Sequence, residues 1–287
     1  MTNQAIHLSP PEDAVDILDE AEPEYDWLIP GLLERGDRLI LTGGEGKGKS
    51  TLLRQMAVQV SLGIHPFTLE PIEPKKVWHV DLENPRALSR RKLMELTRDH
   101  GRTLIRGNLQ MNRWPGGLDL TQQSIAEATT SILYNMRPDL VVIGPTYKMA
   151  QHLEQEAASS LLAFTLDQWR QVFNFALIME SHQPHQTVVE GKNWRAERPF
   201  GSSLWMRWPE FGICLEDAGT LRHWRGARDT RDWPTKLLRG DEWPWVVDNS
   251  LCLVCGFPRT GKQEKYCSER CGNAARQATF RANLRVV

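Results

Sequence analysis

The chain has 287 residues, enough for one sizeable α/β domain with a small module beside it. Its 40% hydrophobic and 25% charged residues are those of an ordinary globular protein, and no apolar run approaches the ~20 residues of a membrane span. The net charge of −1 excludes attraction to nucleic acid by the chain as a whole, but it hides eight acidic residues between Glu12 and Asp26 and a basic C-terminal end.

Residues 1–24 are polar and acidic, include three prolines, and read as a disordered or loosely docked arm. They lack the basic start and apolar core of a signal peptide, so a cytoplasmic location is expected. Trp27 to Leu33 brings apolar residues to the start of a fold. Residues 37–42 predict a buried strand running into a Gly-rich loop. Residues 50–62 predict a helix, with Leu52, Leu53, Met56 and Val60 near helical spacing. The pattern then repeats: strand 77–83, basic helix 85–100, short strand 109–114, helix 121–136, apolar strand 140–143, helix 154–173 and apolar strand 175–179. Short apolar strands alternating with helices imply a parallel sheet covered on both faces. Residues 182–199 read as a polar, mobile loop, and 211–215 with 221–224 as an antiparallel pair added to the sheet. Seven of the eleven tryptophans fall between Trp194 and Trp245. Base stacking is one use for them, and packing within the added strands is the reading adopted for most.

The pattern G-x-x-x-x-G-K-[ST], a Walker A loop, occurs once, as Gly43, Gly44, Glu45, Gly46, Lys47, Gly48, Lys49 and Ser50, with Thr51 next. Glycines let successive backbone N–H groups turn inward around phosphate oxygens. The following helix points its positive end at the same anion. Lys49 supplies charge to the β and γ phosphates, and the Ser50 hydroxyl is placed for magnesium. Chance produces such a match in about one chain in a hundred of this length. The flanking strand and helix lower that further, so a phosphate-binding site is expected here.

Further short motifs follow in order: Asp81-Leu82-Glu83-Asn84-Pro85, Pro138 to Pro145, Glu180-Ser181-His182, Arg198 to Ser203, and Arg222 to Arg228. Together with the Walker A loop they resemble the RecA-like ATPases of the RepA and DnaB hexameric-helicase class, in its compact RepA-like branch from phages and plasmids. The resemblance runs from Trp27 to about Arg228, and only the Walker A loop is specific by itself. It implies a RecA-like P-loop core that binds ATP with Mg²⁺ between subunits of a ring, hexameric by analogy with the class. It implies that Glu83 is the general base orienting the attacking water, with Asp81 on the same side of the strand. It implies that His182 senses the γ-phosphate. Arg225 and Arg228 become candidates for an arginine finger reaching the site of a neighbour. Lys192, Arg195, Arg198 and Arg207 give the segment after His182 a positive edge, either for DNA phosphates in a central channel or as a lid over the nucleotide. One departure stands out: Gly144 occupies the position where the class places the Walker B aspartate. Asp81 or Glu180 replaces it, or Ser50 and the phosphates hold the metal alone, or hydrolysis is weak.

Cys252 and Cys255, then Cys267 and Cys271, form two close pairs separated by eleven residues. That spacing suits a tetrahedral Cys₄ structural Zn²⁺ site, resembling small bacterial zinc-ribbon modules. Arg270, Arg276, Arg281 and Arg285 flank it, for contact with nucleic acid or with a protein.

The expected organisation is an acidic arm over 1–24, a RecA-like ATPase domain over 25–248, and a zinc module with a basic tail over 249–287. The expected function is an ATP-dependent motor on single-stranded DNA, a replicative-type helicase working with replication or recombination proteins and without a membrane. A recombination mediator or regulatory ATPase that does not unwind DNA is the alternative, as is a nucleotide-gated interaction protein using the zinc module.

Overall fold

A computed structural model describes residues 11–21, 24–98, 103–184, 187–189, 192–194, 198–226, 231–248, 250, 252, 254, 266 and 268–284. The Asp13 carboxylate accepts a hydrogen bond from the Val15 N–H and starts a short helix, α1 (Ala14–Asp19), none of whose residues is buried. An N-cap aspartate is enough to close one turn locally. A small antiparallel pair follows, β1 (Trp27–Ile29) with β2 (Leu33–Glu34), and places Leu28, Ile29, Leu32 and Leu33 in the core.

The α/β alternation read from the sequence is present. β3 (Arg38–Thr42) leads through the Gly-rich loop into α2 (Lys49–Leu62). β4 (Val77–Asp81), α3 (Arg86–Thr97), β5 (Leu109–Arg113), α4 (Gln123–Met136), β6 (Leu140–Gly144), α5 (Glu156–Phe173) and β7 (Ala176–Glu180) follow. The segment expected as a loop carries a hairpin, β8 (Thr187–Val189) with β9 (Lys192–Trp194). After the one-turn α6 (Leu204–Arg207) come β10 (Phe211–Leu215) and β11 (Leu221–Arg225). A two-stranded pair, β12 (Leu237–Leu238) and β13 (Val246–Val247), and a C-terminal helix, α7 (Glu269–Leu284), complete the described elements.

The main sheet has seven strands in the order β11–β10–β3–β7–β6–β4–β5, parallel throughout except for β11 on β10. Strand side chains alternate between faces. Leu39 and Leu41, Leu140 and Val142, and Ala176 and Ile178 therefore pack with Leu52, Leu53, Met56 and Val60 of α2 on one face. Ile40, Val141, Ile143, Leu177 and Met179 pack with Leu133 of α4 and Leu162, Leu166 and Trp169 of α5 on the other. A guanidinium cluster fixes α5 to the sheet: Arg38 pairs with Glu210 at 2.5 Å and Asp167 at 2.9 Å, and lies over the Trp208 ring at 4.6 Å.

α2 is apolar or buried all round because it is covered on its outer side too. Trp243 packs with its Val58 and Leu62. The Gln55 amide donates to the Trp245 carbonyl at 2.7 Å and accepts from the Trp245 N–H at 2.8 Å. Residues 233–248 thus lie as a strap across the phosphate-loop helix, a placement the sequence reading did not foresee.

Candidate functional site

All six parallel strands point their C-terminal ends at one edge, and the loops there form a crevice. The phosphate loop sits at the end of β3. Gly46 and Gly48 have φ of 72° and 94°, in the region that favours glycine. A Cβ at Gly43 would meet the Leu215 carbonyl at 2.6 Å, and one at Gly48 would meet the Trp245 ring at 2.9 Å. The loop therefore admits no side chain at either position. Gly44 and Glu45 continue the loop, and Lys47 pairs with Asp217. Lys49 is 4% exposed and donates to the Gly44 carbonyl at 2.9 Å, folded into the space its own loop encloses. Thr51 is half-buried on the first turn of α2.

The Ser50 hydroxyl donates to Glu180 Oε1 at 2.9 Å, and Lys49 Nζ lies 3.9 Å from the same oxygen. Burial pushes the Glu180 carboxyl up, while Lys49 and Ser50 pull it down. Glu180 ends β7, directly beside Gly144 at the end of β6. A Cβ at Gly144 would stand 2.4 Å from the Glu180 Cβ. The two strand ends thus share room for one side chain between them.

Asp81, at the end of β4, is committed elsewhere. Its Oδ1 accepts from the Glu83 and Asn84 N–H groups at 3.1 and 2.9 Å and from the Asn84 amide at 3.0 Å. Its Oδ2 accepts from Arg54 at 3.2 Å and from Ser89 and Asn84 at 3.1 Å. Burial pushes this carboxyl up, but the Asn84 and Glu83 donors and the Arg54 charge outweigh burial and hold it below its ordinary value. Asp81 thus ties the turn that carries Glu83 and Asn84 to the end of β4.

Glu83 projects into the crevice. Its Oε1 lies 3.7 Å from His182 Nε2 and accepts from the Tyr147 hydroxyl at 3.1 Å. His182 does most to hold the Glu83 carboxyl below its ordinary value. Burial opposes it and Tyr147 adds to it. At 3.7 Å the histidine acts by charge and dipole rather than through a full hydrogen bond. Burial and the Glu83 charge push Tyr147 up to about 12, so its hydroxyl stays a donor. Tyr147 was missed in the sequence. Its signal was its place just beyond the C-terminal end of β6, three residues after Gly144. On the other side of His182, Glu45 Oε1 stands 4.0 Å from Nδ1. The His182 carbonyl accepts from the Phe200 N–H at 2.7 Å, joining the end of β7 to the far end of the hairpin segment.

The remaining expected site residues do not meet here. Arg225 ends β11 at the edge of the sheet, opposite the start of β10 and so away from its own phosphate loop. Its guanidinium donates to the Pro209 and Met206 carbonyls. Arg228 lies outside the described residues, as do Cys255 and Cys267. Cys252 is buried and Cys271 half-buried in the first turns of α7. Among the described residues no group of three or more His, Cys, Asp or Glu is arranged to hold a metal, so a Cys₄ zinc site is not part of what the structure shows. No described helix is long and apolar enough to cross a membrane.

No curated protein matches the chain in sequence. Among solved structures, a KaiC-like protein from the hyperthermophilic archaeon Pyrococcus horikoshii OT3 is similar at 14% identity, over 78% of this chain and 95% of that one, with a TM-score of 0.48. Residues 5–188 match the family described as AAA domain, a stretch that contains the Gly-rich loop, Asp81, Glu83, Glu180 and His182. By that match this P-loop chain belongs to the AAA domain family.

Proposed function

We propose that the chain is an ATPase that assembles with copies of itself and moves single-stranded DNA, as a replicative-type helicase of a phage or plasmid system. The residues present fit a nucleotide with a divalent cation. Gly43 and Gly48 keep the loop free of side chains, Lys49 is turned into it, and the Ser50 hydroxyl meets a buried carboxylate. When bound, ATP supplies the phosphoanhydride to be cleaved and Mg²⁺ offsets its negative charge.

The chain's own residues divide the remaining work. Lys49 exchanges the Gly44 carbonyl for phosphate oxygens. Glu83, kept ionised by His182 and Tyr147, accepts a proton from the attacking water. Tyr147 fixes the carboxylate's orientation through its hydroxyl.

The observation that carries the motor reading is that His182 lies 3.7 Å from Glu83 on one side and holds the Phe200 N–H through its carbonyl on the other. A change at the γ-phosphate that moves His182 also moves the segment bearing the β8–β9 hairpin and the exposed Arg198. Arg207, also exposed, adds positive charge nearby. The place of Arg225, remote from its own phosphate loop, supports a role in a neighbour's site over one in its own.

The test is ATP hydrolysis with and without single-stranded DNA, strand displacement on a forked duplex, and mass by light scattering with Mg²⁺ and ATP. DNA-stimulated hydrolysis, displacement and an oligomer are expected. Hydrolysis without displacement leaves the same core as a recombination mediator or regulator and overturns the helicase reading. A monomer under these conditions overturns the shared site.

A further inference from the structure

We infer that Glu180, from β7, is the carboxylate of the divalent-cation site beside Ser50, in the place that β6 leaves vacant at Gly144. This rests on the ATPase reading above and names how its metal is held.

Among the described residues, three carboxylates line the pocket beside Ser50, and their partners separate them. Asp81 accepts three hydrogen bonds on each oxygen, one of them from the Arg54 guanidinium. A cation there would have to displace that guanidinium and dismantle the turn leading to Glu83. Glu83 is turned toward Tyr147 and His182. Glu180 alone touches the phosphate-loop hydroxyl, 2.9 Å from Ser50 Oγ.

Steric and charge arguments agree. A side chain at Gly144 would overlap the Glu180 Cβ and stand 3.1 Å from its Cα and N. A carboxylate on β6 and a side chain on β7 are therefore mutually exclusive at this level, and the chain carries the one on β7. The Glu180 side chain is 8% exposed, and the cation nearest it among the described ion pairs is Lys49, at 3.9 Å. Once Lys49 turns to a phosphate, a buried carboxylate is left in need of compensating charge. A divalent ion between Ser50, Glu180 and the phosphates supplies it.

The experiment is a Mn²⁺ titration followed by electron paramagnetic resonance, with a non-hydrolysable ATP analogue, on the full chain. Glu180→Gln is expected to weaken Mn²⁺ by about 10- to 100-fold while analogue affinity in EDTA stays within about twofold of wild type. Glu180→Asp, which keeps the charge but withdraws it by one methylene, is expected to fall between the two, and it decides the matter if the glutamine variant does not fold. Glu83→Gln is expected to keep wild-type Mn²⁺ affinity. Wild-type Mn²⁺ affinity in the Glu180 variants, or its loss in Glu83→Gln or Asp81→Asn instead, overturns the inference. A wild-type chain that binds no analogue, with or without Mn²⁺, overturns the ATPase reading itself.

Discussion

Gly144→Asp would put a carboxylate back where the helicase class has one, and sequence logic alone would expect it to raise hydrolysis. The structure leads to the opposite expectation. The new Cβ would lie 2.4 Å from the Glu180 Cβ and 3.1 Å from its Cα and N. Carbon atoms pack without repulsion at about 3.5–4.0 Å, so β7 would have to move by more than ~1 Å. It cannot move freely: Ile178 and Met179 beside the contact are fully buried. Overpacking of this kind costs about 1–3 kcal/mol, and the upper end applies because the atoms met are the Glu180 Cβ and backbone rather than the tip of a flexible chain. A second carboxylate against the buried Glu180 adds like-charge repulsion. At ~3 kcal/mol, and about 2–4 °C per kcal/mol for a domain this large, Tm should fall by about 6–12 °C. Circular dichroism melts measure the fall, and steady-state ATPase assays at 20 °C below the lower Tm measure activity. A variant that melts within about 1 °C of wild type and hydrolyses ATP at least as fast would refute the argument.

Trp245→Ala removes a ring that is 5% exposed and flanks Gly48, so a loss of about 3–5 kcal/mol is expected in urea unfolding, with weaker nucleotide binding. A variant as stable as wild type would show that the strap does not hold α2. Glu83→Gln should lower kcat by about 10²–10⁴ while leaving nucleotide affinity in place. Because His182 and Tyr147 hold Glu83 below its ordinary value, the wild-type rate should decline only as pH falls below the usual carboxylate range. An acid limb near neutrality would contradict that. Asp37 is pushed from 3.8 to about 6 by burial, against the Glu34 N–H and Arg231. Its native pKa lies above the unfolded one, so its contribution to stability is fully present below the unfolded value and is lost as pH rises through about 6. Asp37→Asn should therefore gain about 3 kcal/mol relative to wild type between pH 3 and pH 8, and a pH-independent difference would refute this.

The phosphate loop was legible because its chemistry is local: positive φ at Gly46 and Gly48 and close approach at Gly43 and Gly48 demand glycine wherever the loop is built. The strands were legible because residues such as Leu140 to Ile143 alternate between two apolar faces, which reads as a continuous apolar run. The gap at Gly144 was visible too. The choice between Asp81 and Glu180 beside it stayed open, because the contacts that distinguish them join residues far apart in the chain, Ser50 with Glu180 across 130 positions and Arg54 with Asp81 across 27. Arg54 and Gln55 sit in a helical pattern where polar residues suggest a solvated face, whereas both are buried under partners supplied by distant segments. The hairpin after His182 was read as loop, because strands of three residues are too short for an alternating pattern to show.

Gln55 also sets an asymmetry in how the chain can change over generations. Its amide satisfies the backbone of Trp245, not its side chain. Any residue but proline at 245 keeps both hydrogen bonds, so mutation there cannot break this tie by altering chemistry. A change at 55 strands an N–H and a carbonyl together. Selection on these two hydrogen bonds therefore falls on Gln55, whereas selection at 245 acts on the ring that covers Gly48.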